Sequence, residues 1–347
     1  MYDFSIQSMP AYGDLVKRVI AAGMIDPLEN TMLSSGLVRV IPKSMGTGTT
    51  ELVQERTQIE QYASISTAGG QARQKRVQLG WSKQITAHQY DAAITITEQF
   101  RLLGNNAQKG LIKEELFDLG KHIPRRIDLD LSRMVGFGFS GGYTDVEDGV
   151  FFDTKTPDGQ NAFDIAHQLT GSSITYRNMM VGNPGISLAS IAQSANYFRY
   201  QIFSNLGEQM TMEEDTLVIT QNEYQQYTAQ MHFLSSAEVS APNSGVFNPL
   251  QRRYKIETLK RIDFDESRKA DPRKANMWFL VSKKNTDLSM VEFYAPRMDN
   301  PSQGNAGHDI LTGNYTFVVR ASYGMGWASS KAWIGSTGTG RNDNLFI

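Results

Sequence analysis

The chain has no cysteine in its 347 residues, which excludes disulfides, thiolate metal sites and cysteine nucleophiles and leaves its redox compartment unreadable. It has no excess of charge of either sign. The 34 basic and 36 acidic residues leave a net charge of −2, which argues against a dedicated nucleic-acid binder or a polybasic membrane binder. No apolar run is long enough to span a bilayer, and Met1-Tyr-Asp-Phe-Ser-Ile carries neither a basic leader nor a signal-length apolar stretch. The expectation is a soluble protein made inside a cell, with no membrane partner. Phosphate-binding Gly-x-x-x-x-Gly-Lys and nucleophile-elbow Gly-x-Ser-x-Gly patterns are both missing. His88, His122, His167, His232 and His308 stand singly, without a second ligand at a metal-binding spacing, so each is expected to be solvated or hydrogen-bonded in a structural role. The acidic runs Asp145-Val-Glu-Asp148, Glu213-Glu-Asp215 and Asp263-Phe-Asp-Glu266 lack the alternating ligands and central glycine of a calcium loop and read as solvated loops. Gly136-Phe-Gly-Phe-Ser-Gly141-Gly142 has the spacing of a dinucleotide-binding turn, yet it closes a helix instead of opening one and reads as a helix stop. No catalytic residue, metal site or cofactor is expected.

What is present is a long helical period. From Asn106 to Val135, Ile112, Leu116, Leu119, Ile123, Ile127, Leu131 and Met134 recur at steps of three or four and form one stripe, with Lys113, Glu114, Asp118, Lys121, Arg125 and Asp128 largely off it. At roughly 1.5 Å per residue this rod is about 45 Å long. Pro124 lies inside it and predicts a kink near His122, because proline removes a backbone hydrogen bond and crowds the preceding turn.

Ahead of the rod, Asp14 to Ala22 predicts a short amphipathic helix stopped by Gly23, in a loose segment that buries too little to be stable without a host surface. From Gly36 to Thr97 the pattern is β. Val77, Leu79, Trp81, Ile85 and Ala87 alternate with polar residues, Glu51 to Ala63 is extended but more polar, and Gly69-Gly70 lies between them, which predicts a long hairpin. One of its faces is thinly apolar, so another chain is expected to support it. Beyond the rod, Ser187 caps a helix carrying Leu188, Ile191, Ala195, Phe198, Ile202 and Leu206 and ended by Gly207. A buried strand follows at Thr216 to Thr220, then a helix with Tyr224, Tyr227, Thr228 and Met231 on one side. Further strands are expected at Lys255 to Ile262, Met277 to Ser282, Met290 to Tyr294 and Tyr315 to Tyr323.

This order of parts resembles the major capsid protein of tailed bacteriophages, the Hong Kong 97 fold. Asp158-Gly-Gln-Asn-Ala-Phe163-Asp-Ile-Ala-His167 followed by Ser187-Leu-Ala-Ser-Ile-Ala-Gln-Ser-Ala is similar to the family's approach to its first axial helix. Asp215-Thr-Leu-Val-Ile-Thr-Gln-Asn-Glu-Tyr224, then Ser235-Ser236 and Asn248-Pro249, is similar to the succession after it, and Tyr315 to Gly326 with Trp327 and Ala332-Trp333-Ile334-Gly335 to the closing strands. The chain departs from the family where Thr220-Gln-Asn replaces prolines.

The resemblance implies an α+β fold divided into an N-terminal arm (1–35), an extended loop (36–98), a peripheral domain with a spine helix (99–181), an axial domain (182–311) and closing strands with a tail (312–347). It implies a structural subunit, not an enzyme, that self-associates through hexamers and pentamers into an icosahedral head enclosing double-stranded DNA. The partners it implies are portal, scaffolding and decoration proteins. The subunit would be made in the host bacterial cytoplasm and end in the virion. Intersubunit contacts are expected from the loop residues Glu55, Arg56, Glu60, Arg73, Lys75, Arg76, Val77, Leu79 and Trp81, and a change of helix direction from Pro124. The alternatives are a nanocompartment shell of the same fold and an α+β enzyme with its site at 136–142 or 145–148.

Overall fold

The long helical period folds as one unbroken helix, Asn106–Gly136, that passes through Pro124. The structure, a computed structural model, describes residues 18–24, 31–42, 48–55, 58–59, 77–78, 80–97, 106–170, 173–233, 251–299 and 314–340. Its helices are α1 (18–24), α2 (Thr31–Ser35), α3 (Asn106–Gly136), α4 (Leu188–Tyr200) and α5 (Glu223–Phe233). The strands begin with β1 (Arg39–Pro42), β2 (Thr50–Gln54), β3 (Gln58–Ile59), β4 (Val77–Gln78), β5 (Ser82–Thr86) and β6 (His88–Ile96). After α3 come β7 (Tyr143–Asp145), β8 (Val150–Phe152), β9 (His167–Gln168) and β10 (Thr175–Tyr176), then β11 (Thr216–Ile219) and β12 (Lys255–Thr258). The last four are β13 (Trp278–Val281), β14 (Leu288–Asp299), β15 (Tyr315–Trp327) and β16 (Trp333–Ser336). The chain is α+β.

All seven apolar residues of the α3 stripe are buried. They pack under a four-stranded sheet of order β1-β14-β15-β6, in which Phe317, Val319, Ala321 and Tyr323 of β15 alternate inward in the period of two that a one-sided sheet requires. A second sheet has the order β12-β11-β13-β16. Its strands β11, β13 and β16 are buried at every residue, because both of its faces are covered. Phe279 and Val281 of β13 join the core around α3, whereas Trp278 and Leu280 face α4 and α5. Val218 and Trp333 take the first side, and Leu217, Ile219 and Ile334 the second. The second sheet is therefore a wall shared by two cores. Strand β14 lies within the 182–311 segment yet pairs in the first sheet, and β16 lies within 312–347 yet pairs in the second.

Several local expectations are corrected. Gly23 does not stop its helix. It lies within α1, where its Cα touches Gly120 of α3, and a side chain on either glycine would strike the other helix's backbone. The described part of residues 1–35 is thus hosted by α3, with Val19, Ile20 and Met32 buried and the Asp128 carboxylate accepting from the Thr31 hydroxyl and the Met32 N–H. Helix α4 begins at the Ser187–Ser190 capping box but ends at Tyr200, short of Gly207. In α5 the buried positions are Gln225, Ala229 and Phe233, so the tyrosines face outward.

Candidate assembly surfaces and buried polar clusters

The hairpin begins as β2 paired with β5, from Thr50↔Thr86 to Gln54↔Ser82, and continues in the same register as β3 with β4. Its base is not unsupported. Val53 and Ile85 are buried against Val291 and Ala328 beside the first sheet. Lys83 reaches Asp153 at 3.1 Å, and the Trp81 indole N–H donates to the Gln168 carbonyl at 3.2 Å. Few apolar residues are needed here because polar anchors share the task.

Two of the expected intersubunit contacts fall in this base. Glu55 is buried, and its Oε1 lies 2.7 Å from Lys331 Nζ. That corrects its reading as a surface charge presented to a neighbour. A charge read as solvated in the sequence is neutralised by a lysine 276 residues away, a pairing that spacing cannot show. Trp81 is half-buried and tied to its own subunit through the Gln168 carbonyl. Arg56, Glu60, Arg73, Lys75, Arg76 and Leu79 lie outside the described residues, and Val77 is described only by its backbone pairing with Ile59. Pro124 is buried within the continuous α3.

The alternative enzyme sites close on themselves. Asp145, expected to be solvated, is fully buried and receives Arg133 at 2.7 Å, Arg268 at 2.8 Å and Arg126 at 3.3 Å. Burial pushes its carboxyl up, but the hydrogen bonds of Arg268 and Arg133 outweigh this and hold it well below the usual carboxylate range. Arg126 also bonds Asp130, which accepts from the Tyr323 hydroxyl at 3.0 Å, and Tyr323 stacks on Tyr90. Beside this network an open hollow of about 390 Å³, lined by His88, His122, Arg126, Asp148 and Arg268, lies between β6 and α3. The 136–142 segment turns back on itself, with Gly138 against the Phe163 ring. Among the described residues no group of three His, Asp or Glu side chains is placed to hold a metal ion.

His167 is fully buried, with Nδ1 2.9 Å from Asp158 and Nε2 3.0 Å from the Asn178 side-chain oxygen. Burial raises the Asp158 carboxyl, but the bond to His167 and those from Thr156 and the Gln160 N–H bring it below its ordinary value. The Asp158 to His167 stretch is thus a fastener: Asn178 passes the connection to the Ala162 and Ser330 carbonyls and so to the lead into β16.

The helices α4 and α5, which cover the second sheet, expose aromatic side chains. Tyr224 and Tyr227 of α5 are 73% and 61% exposed, and Tyr200 ends α4 at 64%. Leu111, Phe151, Ile165 and Val181 are also exposed. Isolated apolar residues are ordinary on a surface, but aromatic pairs one helical turn apart are frequent anchors of protein interfaces.

No family model matches this chain, and no curated protein matches it. Solved structures similar to it include the capsid of Myoviridae phage XM1, at 12% identity over 88% of this chain and 91% of that one, TM-score 0.47. Another is the virus-like particle from Pyrococcus furiosus, at 10% identity over 94% and 99%, TM-score 0.47. A third is the procapsid of bacteriophage JBD30, at 14% identity over 94% and 75%, TM-score 0.44. Similarity at this level assigns no role to any residue of this chain.

Proposed function

We propose that the chain is the repeating subunit of a closed protein shell, the major head protein of a tailed bacteriophage, and that it self-associates through hexamers and pentamers around double-stranded DNA. The observation that carries the reading is the hairpin. Its base is fastened to its own subunit by Val53, Ile85, Lys83 and Glu55, while its ladder continues outward through β3 and β4. A fixed base aims an extension, and an extension held at a set angle is what a geometrically specified contact to a neighbour requires. In this reading the part that reaches the neighbour is 56–79, with Arg56, Glu60, Arg73, Lys75, Arg76, Val77 and Leu79, and Trp81 stands at the junction. The arm, loop, peripheral and axial divisions follow the boundaries given above, with the second sheet as the wall between the last two. Tyr224 and Tyr227 add a second contact surface. A net charge of −2 suits a wall that confines DNA without gripping it.

Negative-stain microscopy and sedimentation of the purified protein, alone and with a scaffolding partner, test the proposal. Rings, sheets or shells are expected. A stable monomer at high concentration under both conditions overturns it, and shells filled with a protein cargo in place of DNA would assign the nanocompartment alternative.

A further inference from the structure

A second hollow, open to solvent and about 520 Å³ in volume, is lined by the 163–165 segment and by Arg177, Met179, Met180 and Val181. Its floor is apolar, with Phe163, Met179 and Met180 buried, and its rim exposes Ile165 and Val181 at 61% and 50%. One cation stands in it. Arg177 is half-buried with its guanidinium 4.5 Å from the centroid of the Tyr197 ring, and among the described residues no carboxylate pairs with it. Burial lowers its pKa and no negative charge opposes the shift, the mark of a guanidinium desolvated without a counter-ion. The carboxylate that lines the hollow, Asp164, is committed to its own turn, where it accepts from the N–H groups of Ile165 and Ala166. A fitting occupant therefore brings a negative charge for Arg177 and apolar side chains for the rim.

The described chain leads its own C-terminal segment to this place. After β16 the backbone runs beside residues 178–183, where Gly335 exchanges hydrogen bonds with Asn178 and Met180, the Thr337 N–H donates to the Asn183 side-chain oxygen, and the Gly340 N–H donates to the Asn183 carbonyl at 2.8 Å. Asn183 is two residues from Val181 on the rim. Residues 341–347 lie outside the described residues and read Arg341-Asn-Asp343-Asn-Leu345-Phe346-Ile347, one acidic residue followed closely by three consecutive apolar ones. Seven extended residues reach about 23 Å, and Asp343 is only three residues beyond the anchored Gly340. The outer hairpin of another copy is a poorer match, because Arg73, Lys75 and Arg76 give it the charge that Arg177 already has.

We infer that residues 341–347 fold back onto this hollow of the same subunit, with Asp343 paired to Arg177 and with Leu345, Phe346 and Ile347 covering Ile165 and Val181. The tail then seals an apolar surface that would otherwise stay open to other chains, and it ties the strand that closes the wall sheet to the segment leading into α4. The inference goes beyond the shell reading, since a monomer suffices.

Hydrogen–deuterium exchange of the full-length chain, first dilute and unassembled and then assembled, tests it. Amides of 341–347 are expected to be protected in the unassembled parent. Arg177→Glu and Asp343→Lys should each speed exchange of the tail by about tenfold, the loss of one charge-assisted bond, while exchange in β11 and β13 stays unchanged. Combining Arg177→Glu with Asp343→Lys should restore the protection, which a merely structural role of either residue would not produce. Tail amides that exchange like an unstructured peptide in the unassembled parent overturn the inference, and so does equal protection in the parent and both single variants. Protection that appears only on assembly also overturns it, by assigning the tail to a neighbouring copy. Should Arg177→Glu fail to fold, Asp343→Lys alters the tail alone and still decides.

Discussion

Lys274 is nearly fully buried, with its ammonium 3.0 Å from the centroid of the Phe137 ring and donating to the Phe264 carbonyl at 3.2 Å. Burial pushes its pKa down to about 7, only partly opposed by the nearby charge of Asp271. A lysine that titrates near 7 when folded and near 10.5 when unfolded binds fewer protons in the fold across that interval. The cost of the buried ammonium is therefore fully present below about pH 7 and is relieved as pH rises toward 10.5. Melting temperature should climb between pH 7 and 9, and Lys274→Met should flatten the climb and raise stability at pH 7. An unchanged slope in that variant would count against the assignment. Asp145 contributes stability instead of a cost, and its pH slope has the same sign, in the acid range. Its lowered carboxyl contributes stability above its unfolded pKa that is lost as pH falls through the acid range. Removing it strands the buried Arg133, so Asp145→Ala should cost roughly 3–5 kcal/mol in a denaturant melt.

At the scale of elements, two pieces can be changed without dismantling the cores. Proline inside a helix costs about 3 kcal/mol relative to alanine, yet α3 keeps Pro124 buried at its middle. Under the shell proposal a bend at Pro124 would set how the subunit leans. Pro124→Ala should keep the circular dichroism spectrum and an equal or higher melting temperature, while the diameter distribution of assembled particles changes. Identical particles in equal yield would remove Pro124 from the list of shape determinants. Replacing 56–79 by a short Gly-Ser turn, with Glu55 and Gly80 retained, should leave the melting temperature close to that of the parent, because Val53, Ile85, Lys83 and Glu55 still hold the base. Closed particles should be lost. Normal shells from this deletion would show that the outer hairpin is dispensable for assembly.

For the whole molecule, the wall sheet fixes how the two cores sit, since β13 and β16 contribute alternate residues to each. Under the shell proposal α5 is then free to offer Tyr224 and Tyr227 to a neighbour. Burying a large side chain at a contact contributes about 1.5–3 kcal/mol, and a ring repeats each contact at every subunit. Substituting both tyrosines by serine should leave monomer stability within about 0.5 kcal/mol while raising the concentration at which rings form. A matching drop in monomer stability would place these side chains in the subunit's own core.

The sequence by itself determined the α3 stripe, the buried character of β11, the capped start of α4 and the helix stop at Gly136, because each follows from a period or cap that local backbone geometry imposes. It also contained the order of parts on which the family resemblance rests. Only the tertiary structure decided which charges are buried. Asp145 is held by arginines 12 and 123 residues away, and Glu55 by Lys331 and Asn205, so residues that read as solvated became interior once distant segments met. The same cause turned Gly23 from a helix stop into a helix contact, and gave the hairpin a base on its own subunit. Periodicity states that an element has two faces. What lies against each face is settled by elements far along the chain, whose placement depends on the packing of the whole core.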